Sequence, residues 1–153
     1  LTTNKIMNDN IQQLIKASIY KSLPSHEEKI ILEYLKSIPE IEAYEILKLM
    51  VDEKSQITIA MAKKVLHTRN YVTQLFNYGI VKSNAQSIKL WLEFAIPKLG
   101  FKSVVRLIED LNDDTNRLIE KAVYWLPLFV SKNETTSWNL LEKLKEKPNC
   151  KPI

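Results

Sequence analysis

Glycine occurs only twice in this chain of 153 residues, at Gly79 and Gly100. Primed hairpin turns, β-bulges and phosphate-cradling loops draw on backbone conformations that glycine adopts at no steric cost. A chain nearly without it has little from which to build a sheet-based fold, whereas helices need almost none. The apolar residues agree. They recur at three- and four-residue spacing in nearly every segment, and no stretch shows a convincing period of two. The expected fold class is all-α, with about nine helices arranged as consecutive antiparallel helical hairpins.

The first expected helix carries Ile11, Leu14, Ile15 and Ile19 and stops before Pro24. A second opens on the S-x-x-E capping box of Ser25 and Glu28 and buries a stripe of Ile30, Ile31, Tyr34, Leu35 and Ile38, with Pro39 ending it and starting the next. That third helix buries Tyr44, Leu47, Met50 and Val51 behind Glu40, Glu42 and Glu45. Residues 58–66 and 68–78 form either two helices or one. Ser83 with Gln86 makes a further capping box ahead of Ile88, Trp91, Leu92, Ala95 and Ile96, and Pro97 with Gly100 closes that helix. Val104, Val105, Ile108 and Leu111 mark a seventh. Asp113 or Asp114 caps an eighth, which carries Leu118, Ile119, Ala122, Val123 and Leu126 and is stopped or kinked at Pro127. Thr135 or Thr136 caps a ninth, with Trp138, Leu141 and Leu144 inward.

Length and composition suit a single domain over residues 1–147, followed by a disordered tail over 148–153 that holds two prolines and the only cysteine, Cys150. One cysteine excludes an intrachain disulfide and a cysteine-rich zinc site. The longest apolar run, Ala122 to Val130, is well short of the roughly 18 residues that a membrane span needs. The expectation is a soluble cytoplasmic protein without membrane attachment and without a cofactor.

A weak internal period runs through the middle of the chain. Ile38-Pro39 recurs 58 positions later as Ile96-Pro97, and the residues that follow match in kind: Ile41 with Leu99, Ile46 with Val104, Leu47 with Val105, Met50 with Ile108, Asp52 with Asp110. Half of that interval leads from Pro39 to Thr68, and Leu126-Pro127 lies 30 positions beyond Pro97. Each interval holds two helices. Over residues 25–130 the chain therefore resembles a short, divergent HEAT-like α-solenoid, which implies a right-handed stack of helical hairpins; an irregular helical bundle is the competing architecture.

Charge is unevenly spread. Residues 1–60 hold 7 Lys/Arg against 9 Asp/Glu, residues 61–105 hold 7 against 1, and residues 106–153 hold 8 against 8. The middle segment carries the basic excess on Lys63, Lys64, Arg69, Lys82, Lys89, Lys98 and Lys102, interleaved with Tyr71, Tyr78 and Trp91. Such a segment suits phosphate neutralisation and base stacking, or else forms a solvated lysine-rich face. Within it, the run from Ala62 to Leu75 resembles the helix-turn-helix of Cro/phage-repressor-type DNA-binding proteins. The resemblance rests on Ala62, on the apolar Met61, Val65, Val72 and Leu75, and on Thr68-Arg69-Asn70-Tyr71. It implies that Thr68, Arg69, Asn70 and Gln74 face a major groove while Lys63 and Lys64 approach the backbone. Leu66 stands where the motif has a glycine in a left-handed turn, and His67 where it has an apolar residue; both suit a continuous or differently joined helix better.

Catalytic patterns are sparse. His26 and His67 lie 41 positions apart with no nucleophile motif nearby, and Glu28 beside His26-Glu27 has a better use in its cap than as a metal ligand. Asp113-Asp114 and the Glu40/Glu42/Glu45 set are explained by capping and solvation, although carboxylates on a helical scaffold could serve acid–base chemistry on nucleic acids. The leading expectation is a non-catalytic interaction module for a protein partner. Nucleic-acid binding through residues 61–105 is the alternative, and an enzyme acting on nucleic acid is the third. Exposure of part of Tyr124-Trp125-Leu126-Pro127-Leu128-Phe129 would favour the protein partner. The candidate binding residues, for nucleic acid or protein, are Lys63, Lys64, His67, Arg69, Asn70, Tyr71, Gln74, Lys82, Lys89, Lys98 and Lys102.

Overall fold

The computed structural model describes residues 25–52 and 55–147, with side chains described from Glu28 onward. The expected first helix, the Ser25 half of the first capping box, the His26 side chain and the tail with Cys150 lie outside the described residues. Those described form eight α-helices and one 3-10 helix, with no strand among them. No helix among them is long and apolar enough to cross a membrane. The chain divides into two compact units, one ending at Leu66 and the other beginning at His67.

The first unit holds α1 (Ser25–Ser37), α2 (Glu40–Val51) and α3 (Ser55–Val65), each packed on the other two. Pro39 disfavours helix in the residue before it and sits just outside α2 in extended geometry, where its carbonyl accepts from Ala43 N at 3.1 Å. Its buried positions are Ile31, Tyr34 and Leu35 on α1, Ala43, Tyr44, Leu47, Met50 and Val51 on α2, and Ile59, Met61, Ala62 and Val65 on α3. Ile30 departs from the expected stripe and is exposed. One residue is a turn of about 100° around a helix, so once Ile31, Tyr34 and Leu35 face inward, Ile30 falls at the rim.

The second unit holds α4 (Arg69–Ile80), α5 (Ala85–Leu99), α6 (Phe101–Leu111), α7 (Leu118–Trp125), the 3-10 helix Leu126–Phe129 and α8 (Thr135–Lys145). Residues 58–78 are thus two helices. In the second unit α4 and α5 make the most extensive pairing, and its centre is Gly79 against Trp91. Trp91 is 0% exposed, and a Cβ built on Gly79 would lie 2.0 Å from Cζ2 of its ring. A glycine inside a helix costs about 1 kcal/mol relative to alanine. Here that cost admits an indole against the backbone, and Phe94 meets the same ring edge-on with centroids 5.9 Å apart.

Several helix starts differ from expectation. Asn84, not Ser83, caps α5: its Oδ1 accepts from Ser87 N at 2.9 Å, while Ser83 Oγ donates to the Gly79 carbonyl behind it. Ahead of α7, Asp113 Oδ1 accepts from Thr115 N and Asn116 N and so closes the preceding turn. The α7 amides themselves are met by Asn116 Oδ1, which accepts from Leu118 N, and by Asn112 Oδ1, which accepts from Ile119 N. In α8 the residue before the helix is Glu134, whose Oε2 accepts from Ser137 Oγ; neither threonine caps it. Pro97 is accommodated within the last turn of α5, and Gly100 ends that helix at φ 90°. The α7 helix does stop ahead of Pro127, at Trp125, and Pro127 stands second in the 3-10 helix that follows.

Two outcomes follow for stability. Replacing Gly79 by alanine removes about 1 kcal/mol of helix-propensity cost but drives a methyl into Trp91, and overpacking of this severity costs about 3 kcal/mol. The expected net loss of about 2 kcal/mol lowers Tm by roughly 6 °C in thermal unfolding; a rise in Tm would show that the indole gives way freely. Second, burial of Tyr34, and then the nearby Glu42 carboxylate, raise its phenol pKa above the ordinary 10.0. The folded state therefore resists deprotonation. Stability from this group is intact below pH 10 and falls as pH rises above it. Tyr34→Phe should shrink the loss of Tm between pH 9 and pH 11, as read by circular dichroism.

Candidate functional site: a cationic groove in the second unit

The second unit carries a groove of about 350 Å³ between α4 and α6, lined by Arg69, Thr73, Leu99, Lys102, Ser103, Arg106, Leu107 and Asp110. Helical periodicity explains the set. On α4, Val72, Leu75 and Phe76 are buried, which leaves Arg69 and Thr73, one turn apart, on the outer side. On α6, Val104, Val105 and Ile108 are buried, so the rows 102-106-110 and 103-107 face outward together. Gly100 sets the direction of α6. Its φ of 90° with ψ 151° is a conformation that side chains resist, and it lets α6 start immediately where α5 stops.

Arg69 and Ser103 close one end of the groove. Arg69 Nη2 donates to Ser103 Oγ at 2.7 Å, which ties the guanidinium to α6. Lys102 and Arg106 have no ion pair or side-chain hydrogen bond among the described residues, and neither has Asp110, one turn beyond Arg106. Three cations and two hydroxyls thus share a small concave surface, with a single carboxylate toward its far end.

The remaining candidate residues go elsewhere. Lys63 and Lys64 are exposed in the last turn of α3, in the first unit, where cations suit the carbonyl end of a helix. His67, Asn70 and Gln74 are exposed and Tyr71 is half-buried, none of them in the groove. Lys82 lies 3.7 Å from the centre of the Tyr78 ring, and Lys89 pairs with Glu93 at 3.9 Å and stands 5.5 Å from the centre of the Trp125 ring. Lys98 is half-buried near the end of α5. Among those candidates, Arg69 and Lys102 alone line the groove. Trp91, expected as a stacking surface, is buried against Gly79 and presents no face to a ligand.

Arg106, Thr73 and Ser103 were absent from the expected set. Arg106 fell one residue beyond the basic segment, yet its i, i+4 relation to Lys102 on a helix with a sharply apolar opposite face was a readable signal. Nothing in the sequence marked the hydroxyls, because their use depends on which helix lies opposite. Leu66, at the expected turn, keeps a negative φ: positive values among the described residues occur only at Gly100 and Arg117. The left-handed turn of repressor-type motifs is not formed at that position.

Two other surfaces stand apart from this groove. In the first unit a wider groove of about 630 Å³ between α1 and α3 has Leu32, Ile57, Ala60 and Met61 as its apolar lining, with Glu28 and Glu33 interspersed among Lys29, Lys36 and Lys64. Its carboxylates alternate with lysines and do not form an isolated acidic pair. In the second unit Tyr124 is 75% and Leu128 65% exposed, the Tyr124 ring standing edge-on to Trp125 at 4.9 Å. No group of three or more His, Cys, Asp or Glu side chains that could hold a metal ion occurs among the described residues. No protein-family model matches the chain, and neither a curated protein nor a solved structure matches it significantly.

Proposed function

We propose that this chain is a non-catalytic, cytoplasmic helical interaction module whose second unit holds an acidic segment of a protein partner in the groove between α4 and α6. The observation that carries the reading is the pair Lys102 and Arg106, one helical turn apart beside Arg69 and without an ion pair among the described residues. Like charges at that spacing destabilise a helix by about 0.2–0.5 kcal/mol, so the fold carries a repulsion that an anionic partner relieves. The exposed Tyr124 and Leu128 support the same class of partner, since protein interfaces use such rings and apolar side chains.

The finer architecture belongs to the proposal as well. Within each unit the substantial helix contacts join helices one or two positions apart along the chain, which is the pattern of a short HEAT-like stack and of a small bundle alike. A stack gives the groove a natural place, between outward-facing helices of successive hairpins.

Nucleic acid is the second reading, favoured by the net charge of +4. Two features weigh against it. Trp91 has no free face, and Tyr78 is covered by Lys82. A fluorescein-labelled glutamate decapeptide should bind, with affinity falling as salt rises, and Lys102→Glu with Arg106→Glu should weaken it about tenfold or more. Asp110→Asn should strengthen it, because a competing carboxylate is removed. A single-stranded DNA decamer that binds more tightly than the peptide, and weakens on Lys63→Gln with Lys64→Gln, would replace this reading with the nucleic-acid one.

A further inference from the structure

We infer that the α4/α6 groove reads a phosphorylated side chain followed, a few residues along an extended peptide, by a basic one. The inference rests on the acidic-partner reading and narrows it to one ligand chemistry.

The donors exceed what carboxylates use. Two guanidinium forks, one ammonium and the hydroxyls of Thr73 and Ser103 line the same groove. A carboxylate has two oxygens, and one guanidinium satisfies both in a bidentate pair; a phosphate monoester near neutral pH carries close to two charges and three strong acceptor oxygens. Ser103 sharpens the match. Arginine only donates, so in the 2.7 Å bond from Arg69 the Ser103 oxygen must be the acceptor, which leaves its own proton for another acceptor. Arg69 is in turn held on α6 by that bond, and its fork is partly organised before any ligand arrives.

Asp110 supplies direction. Along the α6 axis it lies about 6 Å from Arg106 and about 12 Å from Lys102, by the 1.5 Å rise per residue. A wholly anionic ligand running that length would meet a like charge at its end. A ligand with its phosphate by Lys102 and Arg106 and an amine by Asp110 meets complementary charge throughout, and at about 3.3 Å per extended residue the two groups are two to four residues apart. Asp110 has no partner among the described residues, so this role competes with no existing bond.

The test uses fluorescence anisotropy with an alanine-based nonapeptide carrying phosphoserine and, three residues later, lysine. Its counterparts carry serine or glutamate in place of phosphoserine, or alanine in place of lysine. The phosphopeptide should bind at least about tenfold more tightly than the serine and glutamate peptides, and Arg69→Gln and Arg106→Gln should each lose about tenfold, as expected for charge-assisted hydrogen bonds. Asp110→Asn should erase the preference for lysine over alanine, and free inorganic phosphate should compete only at far higher concentration. Each variant is first shown to keep its helical circular dichroism. Equal binding of the glutamate and phosphoserine peptides would overturn the phosphate inference and leave the acidic-partner reading intact. Phosphopeptide binding unaffected by both arginine variants would overturn the site. No binding of any peptide would overturn both readings, as would tighter binding of a single-stranded DNA decamer lost in the same variants.

Discussion

The face of Trp91 lies on the bare backbone of Gly79, and the second unit is organised around that contact. An indole buries more apolar area than any other side chain, and it approaches a helix this closely only where no Cβ intervenes. The contact sets the separation of α4 and α5; Phe94 packs edge-on against the indole, and Phe76, Ile80 and Ile88 on the same two helices are fully buried. Gly100 then ends α5 and starts α6 in a single step. The chain's two glycines thus have separate uses, one for close approach and one for a positive φ, and between them they bring the outer face of α6 alongside that of α4. The groove is a consequence of this packing.

Charge gives the groove its character. Two cations of the basic segment have clear company: Lys82 has the Tyr78 ring, and Lys89 has Glu93 and the Trp125 ring. Such side chains are explained by the fold. Lys102 and Arg106 have no ion pair among the described residues, and they stand one helical turn apart beside an Arg69 that Ser103 holds. Surface ion pairs contribute little to stability, typically below about 1 kcal/mol, so the fold loses little by leaving these cations unpaired.

The sequence was most legible where periodicity and proline act locally. Apolar spacing located every described helix, and Pro39 and Pro127 marked real boundaries because a ring without an N–H cannot continue the ladder. Caps were less legible. Ser83, Asp113 and Thr135 each had a rival within a few residues, and the choice of Asn84, Asn112 with Asn116, and Glu134 depends on how the incoming chain is held by contacts distant in sequence. The site was legible only in part. The basic excess of residues 61–105 ends one residue short of Arg106, which shares a helix face with Lys102, and the Trp91 ring within that segment has a face that Gly79 covers. Charge counts do not distinguish a lysine stacked on tyrosine from one without a counter-ion; that difference exists only after packing.

If the α4/α6 groove, and not the basic segment as a whole, is what a partner meets, backbone amide shifts should report it by NMR while an unphosphorylated glutamate peptide is titrated into the uniformly labelled protein. The largest changes should fall on residues 69–73 and 102–110, with residues 61–66 and 82–89 nearly still. Changes centred on Lys63, Lys64, Lys82 and Lys89, or spread evenly over all lysine-bearing surfaces, would refute the groove as the recognition surface.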